Sequence, residues 1–596
     1  MCGIIGCVGR GEETLSTLLH GLSKLEYRGY DSAGVALGGP DGLEVCKRAG
    51  ELEQLRAAVG DGIPGHVGIG HTRWSTHGPP TDENAHPHAD CAGAVAVVHN
   101  GIVENYRSLR EELEAAGHVF RSGTDTEIIP HLVEDELDAG AAPEAAFRAA
   151  IDRLEGSFAV ACIVAGSDAV LLARNDSPLV LGLADDATFL ASDVPAFRAF
   201  TDRVVYLEDG EFAELRAEGW TVTDGAGERI EKAVETVEWS PEDAGKSGYD
   251  HFMLKEIHEQ PRALRQCLSG RIDELRGEID IEELDGADID RAHLVAAGTS
   301  YHAALYGARL LCAAGVPAEA HYAHEYAVST PPTEDATVIG VSQSGETADT
   351  LAATRAARRA GARTLAITNT VGSTMARECE ETMYIRSGPE IGVAATKTFA
   401  GQLTALNLLA EVAADDPPKR GLVAALRDLP GDTQTVLDGS SAEAVAEAYL
   451  DAEAYFFIGR GLSFPVALEG ALKTKEISYE HAEGFAAGEL KHGPLALVTD
   501  ETPVFATAIG DGAVARKTVN SIKEVETRGA PVVAVTDGRS DAARYADRVL
   551  GIPETHPRTA AVLANVQLQL VAYHTAAKLG RSIDRPRNLA KSVTVE

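Results

Sequence analysis

The chain has 596 residues, 44% of them apolar, which is enough for several globular domains. Its 91 acidic residues against 53 basic ones leave a formal net charge of -38. That excess excludes a general binder of nucleic acid or of anionic membrane surfaces, which need clustered Lys and Arg. A small anionic substrate, held in a local pocket, stays open.

Only 14 of the basic residues are lysine. Acid-rich, lysine-poor composition fits a protein kept soluble in concentrated salt, where self-repulsion is screened. Eight cysteines, at 2, 7, 46, 91, 162, 267, 312 and 379, form no C-x-x-C pair and no Cys/His cluster with zinc spacing. They are too sparse for a disulfide scaffold, so a reducing cytoplasm is expected. The N-terminus, MCGIIGCVGRGEE, lacks the basic leader and apolar core of a signal peptide, and no run of about 18 apolar residues suggests a membrane span.

Residues 2–235 read as one unit. Short β-like runs recur (GIIGCVG, SAGVAL, VGIGHTRW, AVAVVHNGIV, FAVACIVA, AVLLARN, VVYLEDGEFAEL), with helical patterns between them at 13–25 and 108–116. Many strands with few helices predict an α+β sandwich. Residues 236–283 read as a polar linker (EWSPEDAGKSG) followed by an amphipathic helix (HFMLKEIHEQPRALRQCL). Beyond that, apolar β runs alternate with Ala-rich helical runs: HLVAAGTS, TVIGVSQSGE, ARTLAITN. This is the pattern of a parallel sheet with crossover helices. The pattern recurs as AYFFIGRG, PVFATAIG and APVVAVTD about 165 residues later, too long a period for a solenoid. Two copies of one α/β domain are therefore expected, at 284–420 and 445–585, with a tail at 586–596.

Cys2 is the most informative residue of the first half. Removal of Met1 would leave it with a free α-amine of pKa about 7.7–8.0, partly neutral at pH 7 and able to serve as base for its own thiol. A nucleophile beside an internal base is the arrangement of covalent catalysis. Around it stand CGIIG, EYRGYDSAG, HTRWSTHG, NAHPH, HNGIVEN and SGTDTE, in that order. Together they resemble the class II glutamine amidotransferase domain, of the N-terminal-nucleophile hydrolase fold. The resemblance implies that Asn100 and the N–H of Gly101 form the oxyanion hole. It implies that Arg73 clamps the glutamine α-carboxylate and Asp125 takes the α-ammonium. Trp74, Thr76 and His77 fall in its closing loop, with Trp74 also a gate. His77, His86, His88 and His99 fit no standard metal spacing and read as structural or substrate-adjacent. Arg28 lies near the nucleophile with no assigned role.

In the second half, SQSGET joins an apolar β run to a helix. Its hydroxyls and helix N-terminal N–H groups suit an anion, and without the GK[ST] ending it is no Walker loop. A phosphate monoester fits best. Gly298, Thr299 and Ser300 close the preceding strand, while the second copy reads GDGAV where the phosphate motif would be. GTS, SQSGET and the duplicated unit resemble sugar isomerase domains. Four of the scarce lysines lie in EGALKTKEISYEHAEGFAAGELKHGPLAL and NLAKSVTVE. On a helix Lys473 and Glu476 would share a face.

Taken together, from Cys2 to Glu596, the chain resembles the isomerizing glutamine amidotransferases that aminate fructose 6-phosphate in the first step of amino-sugar synthesis. That resemblance implies an α+β N-terminal-nucleophile hydrolase sandwich followed by two α/β parallel-sheet sugar isomerase domains. It makes Lys591 the Schiff-base lysine, His492 an acid/base for ring opening, Glu476 the proton carrier between C1 and C2, and Lys473 its assistant. Ser342, Gln343, Ser344 and Thr347 would hold the phosphate, with Gly298, Thr299, Ser300 and Val393 lining the sugar. Ala297 stands where bacterial members carry Cys in CGTS, and Ala395 replaces a Ser in GVASTK. No metal and no cofactor is called for, and a homodimer is implied. Another class II amidotransferase, or a non-catalytic phosphosugar-binding regulator, is the alternative; glutamate release stimulated by fructose 6-phosphate separates them.

The charge of -38 predicts a need for molar salt. Thermal melts should show a marked loss of stability in dilute buffer, as repulsion is unscreened. An unchanged melting temperature there would refute the halophilic reading.

Overall fold

The computed structural model describes residues 2–39, 42–60, 62–74, 78–237, 246–273, 277–281, 283–284, 289–329, 334–414 and 420–593. The chain divides into two compact units, Met1–Ala244 with Ser592–Glu596, and Gly245–Lys591.

In the first unit, the short apolar runs become two antiparallel sheets, of eight and seven strands. The strand Gly3–Val8 is buried on both faces and lies inside the larger sheet, between Val67–Arg73 and Thr188–Ala191. The inner faces meet through Ile4, Ile69, Val98, Ala161, Leu172 and Leu215. The outer face of the smaller sheet (Val97, Val160, Cys162) takes Leu109, Leu113, Ile129, Val133 and Phe147 from the helices Tyr106–Ala116, Ile128–Asp138 and Pro143–Ile151. On the larger sheet the helix Thr14–Leu25 turns Leu18, Leu22 and Leu25 inward, the spacing of an amphipathic helix. Each such leucine contributes about 1.5–3 kcal/mol by leaving water. The result is the sandwich expected from the strand-rich pattern.

The second unit holds two five-stranded parallel sheets. The first runs in the order Ala318–Tyr322, Ala292–Ala296, Thr337–Ser342, Thr364–Thr368, Glu381–Tyr384. The second runs Ala482–Ala486, Tyr455–Gly459, Val504–Thr507, Val532–Thr536, Arg548–Gly551. The three inner strands of each sheet are buried along their whole length because helices cover both faces. Both sheets carry the order 2-1-3-4-5, so each has one point where the chain reverses its direction of progress across the sheet. Ligands of open α/β sheets bind there, beyond the strands' carboxyl ends. One continuous core joins the two copies. At its centre lies the helix Pro557–Lys578, buried over nearly its whole circumference. It reaches the first copy through Arg558 to Glu411 and through Gln569 Nε2 to the Thr396 carbonyl at 3.2 Å.

From Phe252 onward the segment expected to be linker and connecting helix is part of this core. It forms the helices Phe252–His258 and Gln260–Leu268, with Met253, Ile257, Leu264 and Cys267 buried. Residues 238–245 lie outside the described residues. Glu256 locks the first helix in place. Its Oε1 accepts the N–H groups of Ile391 and Gly392, while Oε2 is buried without a partner. Burial, and then the neighbouring Glu390 carboxylate, push its pKa up to about 7, against the opposing pull of Lys591 and Lys397.

A carboxyl raised from its unfolded value of about 4.3 takes up a proton on folding, so its stabilising effect fades as pH rises through about 7. Glu256→Gln keeps the acceptor and cannot ionise. Its stability relative to wild type should grow by roughly 2–4 kcal/mol between about pH 5 and pH 8. Denaturant melts at the two pH values check this; a difference independent of pH would show that Glu256 is ionised throughout.

Candidate active sites

In the first unit, strand register brings the motifs together. Gly3 pairs with Thr72, so Cys2 falls opposite Arg73 at the ends of adjacent antiparallel strands. The Cys2 thiol, half-buried, lies against the backbone of Trp74: the Trp74 N–H donates to Sγ at 3.3 Å, and Sγ lies 3.5 Å from the Trp74 carbonyl. The Cys2 carbonyl accepts from Asn100 Nδ2 at 3.0 Å and from Arg28 Nε at 3.2 Å. Arg28, unassigned from sequence, thus holds the nucleophile's backbone. Asn100 is oriented by a buried histidine: His71 Nε2 lies 3.0 Å from its Oδ1. Burial takes the His71 pKa down to about 3. A neutral ring whose Nε2 faces two acceptors, Asn100 Oδ1 and the His99 carbonyl, carries its proton there. That fixes the Asn100 amide with nitrogen toward Cys2 and Ser192 Oγ. Gly101 follows with φ +124, and a Cβ there would sit 2.0 Å from the Ser157 carbonyl oxygen, so no other residue fits.

Arg73 is buried. Burial lowers its pKa, while Cys2, Asp31 and Asp125 pull it back up, which places Asp125 and the nucleophile within its electrostatic reach. Asp125 is also buried and accepts the Val103 N–H at 2.9 Å. Trp74 is half-buried, edge-on to Tyr30 at 5.5 Å. Thr76 and His77 lie outside the described residues. His86, His88 and His99 are buried; burial takes the first two well below the ordinary imidazole pKa. They hydrogen-bond to Thr124 and Thr126, tying the NAHPH, HNG and SGTDTE segments together.

In the second unit the sugar motifs gather at the reversal point of the first sheet. Ser342 ends the third strand and Gly298 opens the helix that follows the first. Ser342 Oγ accepts the Gly345 N–H at 3.1 Å and meets Thr347 Oγ1 at 3.0 Å. Gly345 has φ +66 and packs so closely that a Cβ would lie 2.1 Å from Ser373 Oγ. Thr347 is the N-cap of the helix Ala348–Arg359, yet its side chain does not cap it. With its hydroxyl turned to Ser342, the helix N-terminus is left for an anion. Gln343 offers its carbonyl to the Asn369 N–H at 3.1 Å, and Ser344 Oγ accepts the Glu346 N–H at 3.1 Å.

The second copy adds a buried charge cluster. Lys473 is buried against Glu476 and, at 3.3 Å, Glu469. It is not the surface ion pair that three-residue spacing on a helix also allows. Glu469, absent from the sequence reading, accepts Thr299 Oγ1 at 3.0 Å and meets His302 Nδ1 at 2.7 Å. Burial raises its pKa, but Lys473, His302 and Thr299 outweigh this and hold it ionised. The Glu476 pKa is raised by burial, against Lys473 and Lys591. Ser300 accepts Gln402 Nε2 at 2.8 Å, and the buried Val393 ties its N–H to the Asp584 carbonyl at 3.3 Å.

Lys591 is no free tail lysine. Its ammonium is buried against Glu390, a second carboxylate that sequence reasoning missed. Glu390 also accepts the Thr396 and Thr398 N–H groups, at 2.9 and 3.1 Å, and Thr398 Oγ1 at 2.6 Å. His492 is not brought to these groups within the described residues. It is exposed at the end of the short 3-10 turn Glu489–His492 and shows no hydrogen bond or ion pair there.

The chain matches the glutamine amidotransferase domain over residues 71–199 and the SIS domain twice, over 287–412 and 449–579. It is 52% identical, over the full length of both chains, to the glutamine–fructose-6-phosphate aminotransferase [isomerizing] of Halobacterium salinarum, a halophilic archaeon, in keeping with the acidic composition. It is 48% and 47% identical, again over full length, to the proteins of that name from Symbiobacterium thermophilum and Thermus thermophilus. The C-terminal domain of glucosamine-fructose-6-phosphate aminotransferase from Francisella tularensis superposes with a TM-score of 0.54 at 33% identity, over 57% of this chain and all of that one. The chain belongs to the family of isomerizing glutamine–fructose-6-phosphate aminotransferases.

Proposed function

We propose that the chain converts fructose 6-phosphate and glutamine to glucosamine 6-phosphate and glutamate, with the residues above in the following roles. The Cys2 thiolate attacks the glutamine carboxamide while Arg73 and Asp125 hold the amino-acid end. Asn100 Nδ2 and the Gly101 N–H receive the oxyanion. In the resting arrangement both Asn100 amide hydrogens are already engaged, by Cys2 and Ser192. The one on the Cys2 carbonyl is the hydrogen to be shared with the oxyanion. Ammonia leaves, and water releases glutamate from the thioester.

The sugar phosphate sits on Ser342, Gln343, Ser344 and Thr347, with Gly298, Thr299, Ser300 and Val393 beside it. Lys591 must lose its proton before attacking C2, and its buried partner Glu390 holds the ammonium in place until then. The imine with C2 forms as water leaves. Ammonia then replaces the lysine, and Glu476 moves a proton from C1 to C2, converting the ketose imine to the aldose amine. Lys473 steadies that carboxylate, and His492 serves ring opening. One observation carries the reading: Thr299 of the first copy's sugar motif bonds to Glu469 on the helix that also holds Lys473 and Glu476. Phosphosugar motif and proton-transfer group thereby share one wall. No helix among the described residues is long and apolar enough to cross a membrane. A cytoplasmic homodimer that does not bind nucleic acid completes the reading, supported by the family resemblance and by the net charge of -38.

Cys2→Ala should abolish glutamine-dependent synthesis but leave amination by concentrated free ammonia, because the sugar chemistry uses other residues. Glutamate release by that variant, above the no-enzyme rate, would remove Cys2 as the nucleophile.

Lys591→Arg keeps the charge beside Glu390, but guanidinium forms no Schiff base at neutral pH. Synthesis should fall by at least about 100-fold with either nitrogen source, while basal glutaminase persists. Borohydride with fructose 6-phosphate should label the C-terminal peptide of the wild type only. Near-normal product formation by the variant would end the imine assignment.

A further inference from the structure

Among the described residues, the histidines weighed as metal ligands from sequence (His86, His88 and His99) are not where metal-binding atoms converge. That happens elsewhere in the first unit, at Cys91, His118, His131 and Glu134, whose ligand atoms all lie within 4.8 Å of one another. They come from three separate segments. Cys91 follows the strand His88–Ala89, and His118 follows the left-handed cap Gly117 of the helix Tyr106–Ala116. His131 and Glu134 share a face of the helix Ile128–Asp138. Spacings of 27, 13 and 3 residues match no sequence motif.

We propose that these four side chains form a structural zinc site. Cys91 Sγ lies 3.6 Å from His118 Nδ1 and 3.7 Å from His131 Nδ1. Glu134 Oε2 lies 3.1 Å from each of those nitrogens. With zinc bonds of about 2.3 Å to sulfur and about 2.0–2.1 Å to nitrogen and oxygen, a tetrahedron has S···N edges of about 3.6 Å and N···O edges of about 3.3 Å. The two S···N and two N···O separations match those edges. Thiolate and imidazole with one carboxylate, in a tetrahedral set, is a donor combination that favours zinc.

A second observation concerns orientation. His118 Nε2 is 2.8 Å from Asp135 Oδ1, outside the cluster. That carboxylate takes the ring's N–H and leaves the Nδ1 lone pair facing inward, the outer support usual for a ligating histidine. His131 is buried, with the Phe120 ring edge-on at 4.7 Å, and Cys91 is exposed, which gives the ion a way in. All four positions are filled by protein, so the site is closed to substrate and its role is structural. The ion would pin the loop after His88–Ala89 and the turn at Gly117 to the helix that starts three residues after Asp125. Asp125, given the amino-acid end of glutamine in the proposed function, shortly precedes that helix. The competing arrangement has no metal, with Glu134 accepting from both imidazoles.

The test uses the full-length protein in molar KCl. After zinc loading and dialysis against metal-free buffer it should retain about one zinc per chain. Cobalt(II) in its place should give the intense visible absorption of a tetrahedral ion and a thiolate charge-transfer band. Cys91→Ser should lose that band. Asp135→Asn, on an exposed side chain, should weaken zinc binding by about 10–100-fold while leaving the fold intact. A wild-type protein that binds no zinc, or one whose zinc and cobalt signatures survive Cys91→Ser unchanged, overturns the proposal in favour of the hydrogen-bonded cluster or of a metal bound elsewhere.

Discussion

The Glu390 side chain has no exposed surface, and a charge in that position must be answered from every side. Lys591 answers with its ammonium, Thr396 and Thr398 with backbone N–H groups, and Thr398 again with its hydroxyl. Deleting one partner of such a pair costs about 3–5 kcal/mol, because the other is left buried and unpaired. Glu256 cannot be ionised cheaply beside it, and so holds the 391–392 backbone as a neutral acid does. Lys591 and the start of the helix Lys397–Val412 are thus tied to one carboxylate, while its neighbour Glu256 ties the first helix of the second unit to residues 391–392.

The same logic runs through the rest of that unit. In a chain with 14 lysines, Lys255, Lys397 and Lys473 are buried as well. Lys255 and Lys397 lie on Glu259, at 3.4 and 2.7 Å, and Lys473 on Glu469 and Glu476. An acidic surface suited to brine needs few ammonium groups. Four of the fourteen, counting Lys591, sit where a carboxylate inside the protein has to be neutralised.

What could be read from the sequence follows from where each contact lies along the chain. The sandwich and the duplicated parallel sheets came from hydrophobic periodicity, which is local. Cys2, Asn100, Arg73 and Asp125 could be picked out because each sits in a compact motif; Cys2 and Arg73 lie at the ends of adjacent strands, where antiparallel register sets them opposite each other. Glu390, Glu469 and His302 were not legible. Their partners are 201, 170 and 167 residues away, and nothing around a single Glu announces that it will be buried. The histidines gave an ambiguous signal for a physical reason: burial makes His71, His86 and His88 neutral hydrogen-bonding groups that stack and cap, a use that leaves no spacing rule. His492 took its role from the resemblance alone, and its own chain leaves it exposed at the end of a short turn.

The helix Pro557–Lys578 belongs by sequence to the second sugar isomerase copy, yet its buried side chains fill the core of both. The duplication visible in the strands is therefore not a duplication of independently stable parts. A ribosome releasing the first copy would expose a groove shaped for a helix not yet made. The unit must then mature in a single late step, when its last long helix emerges.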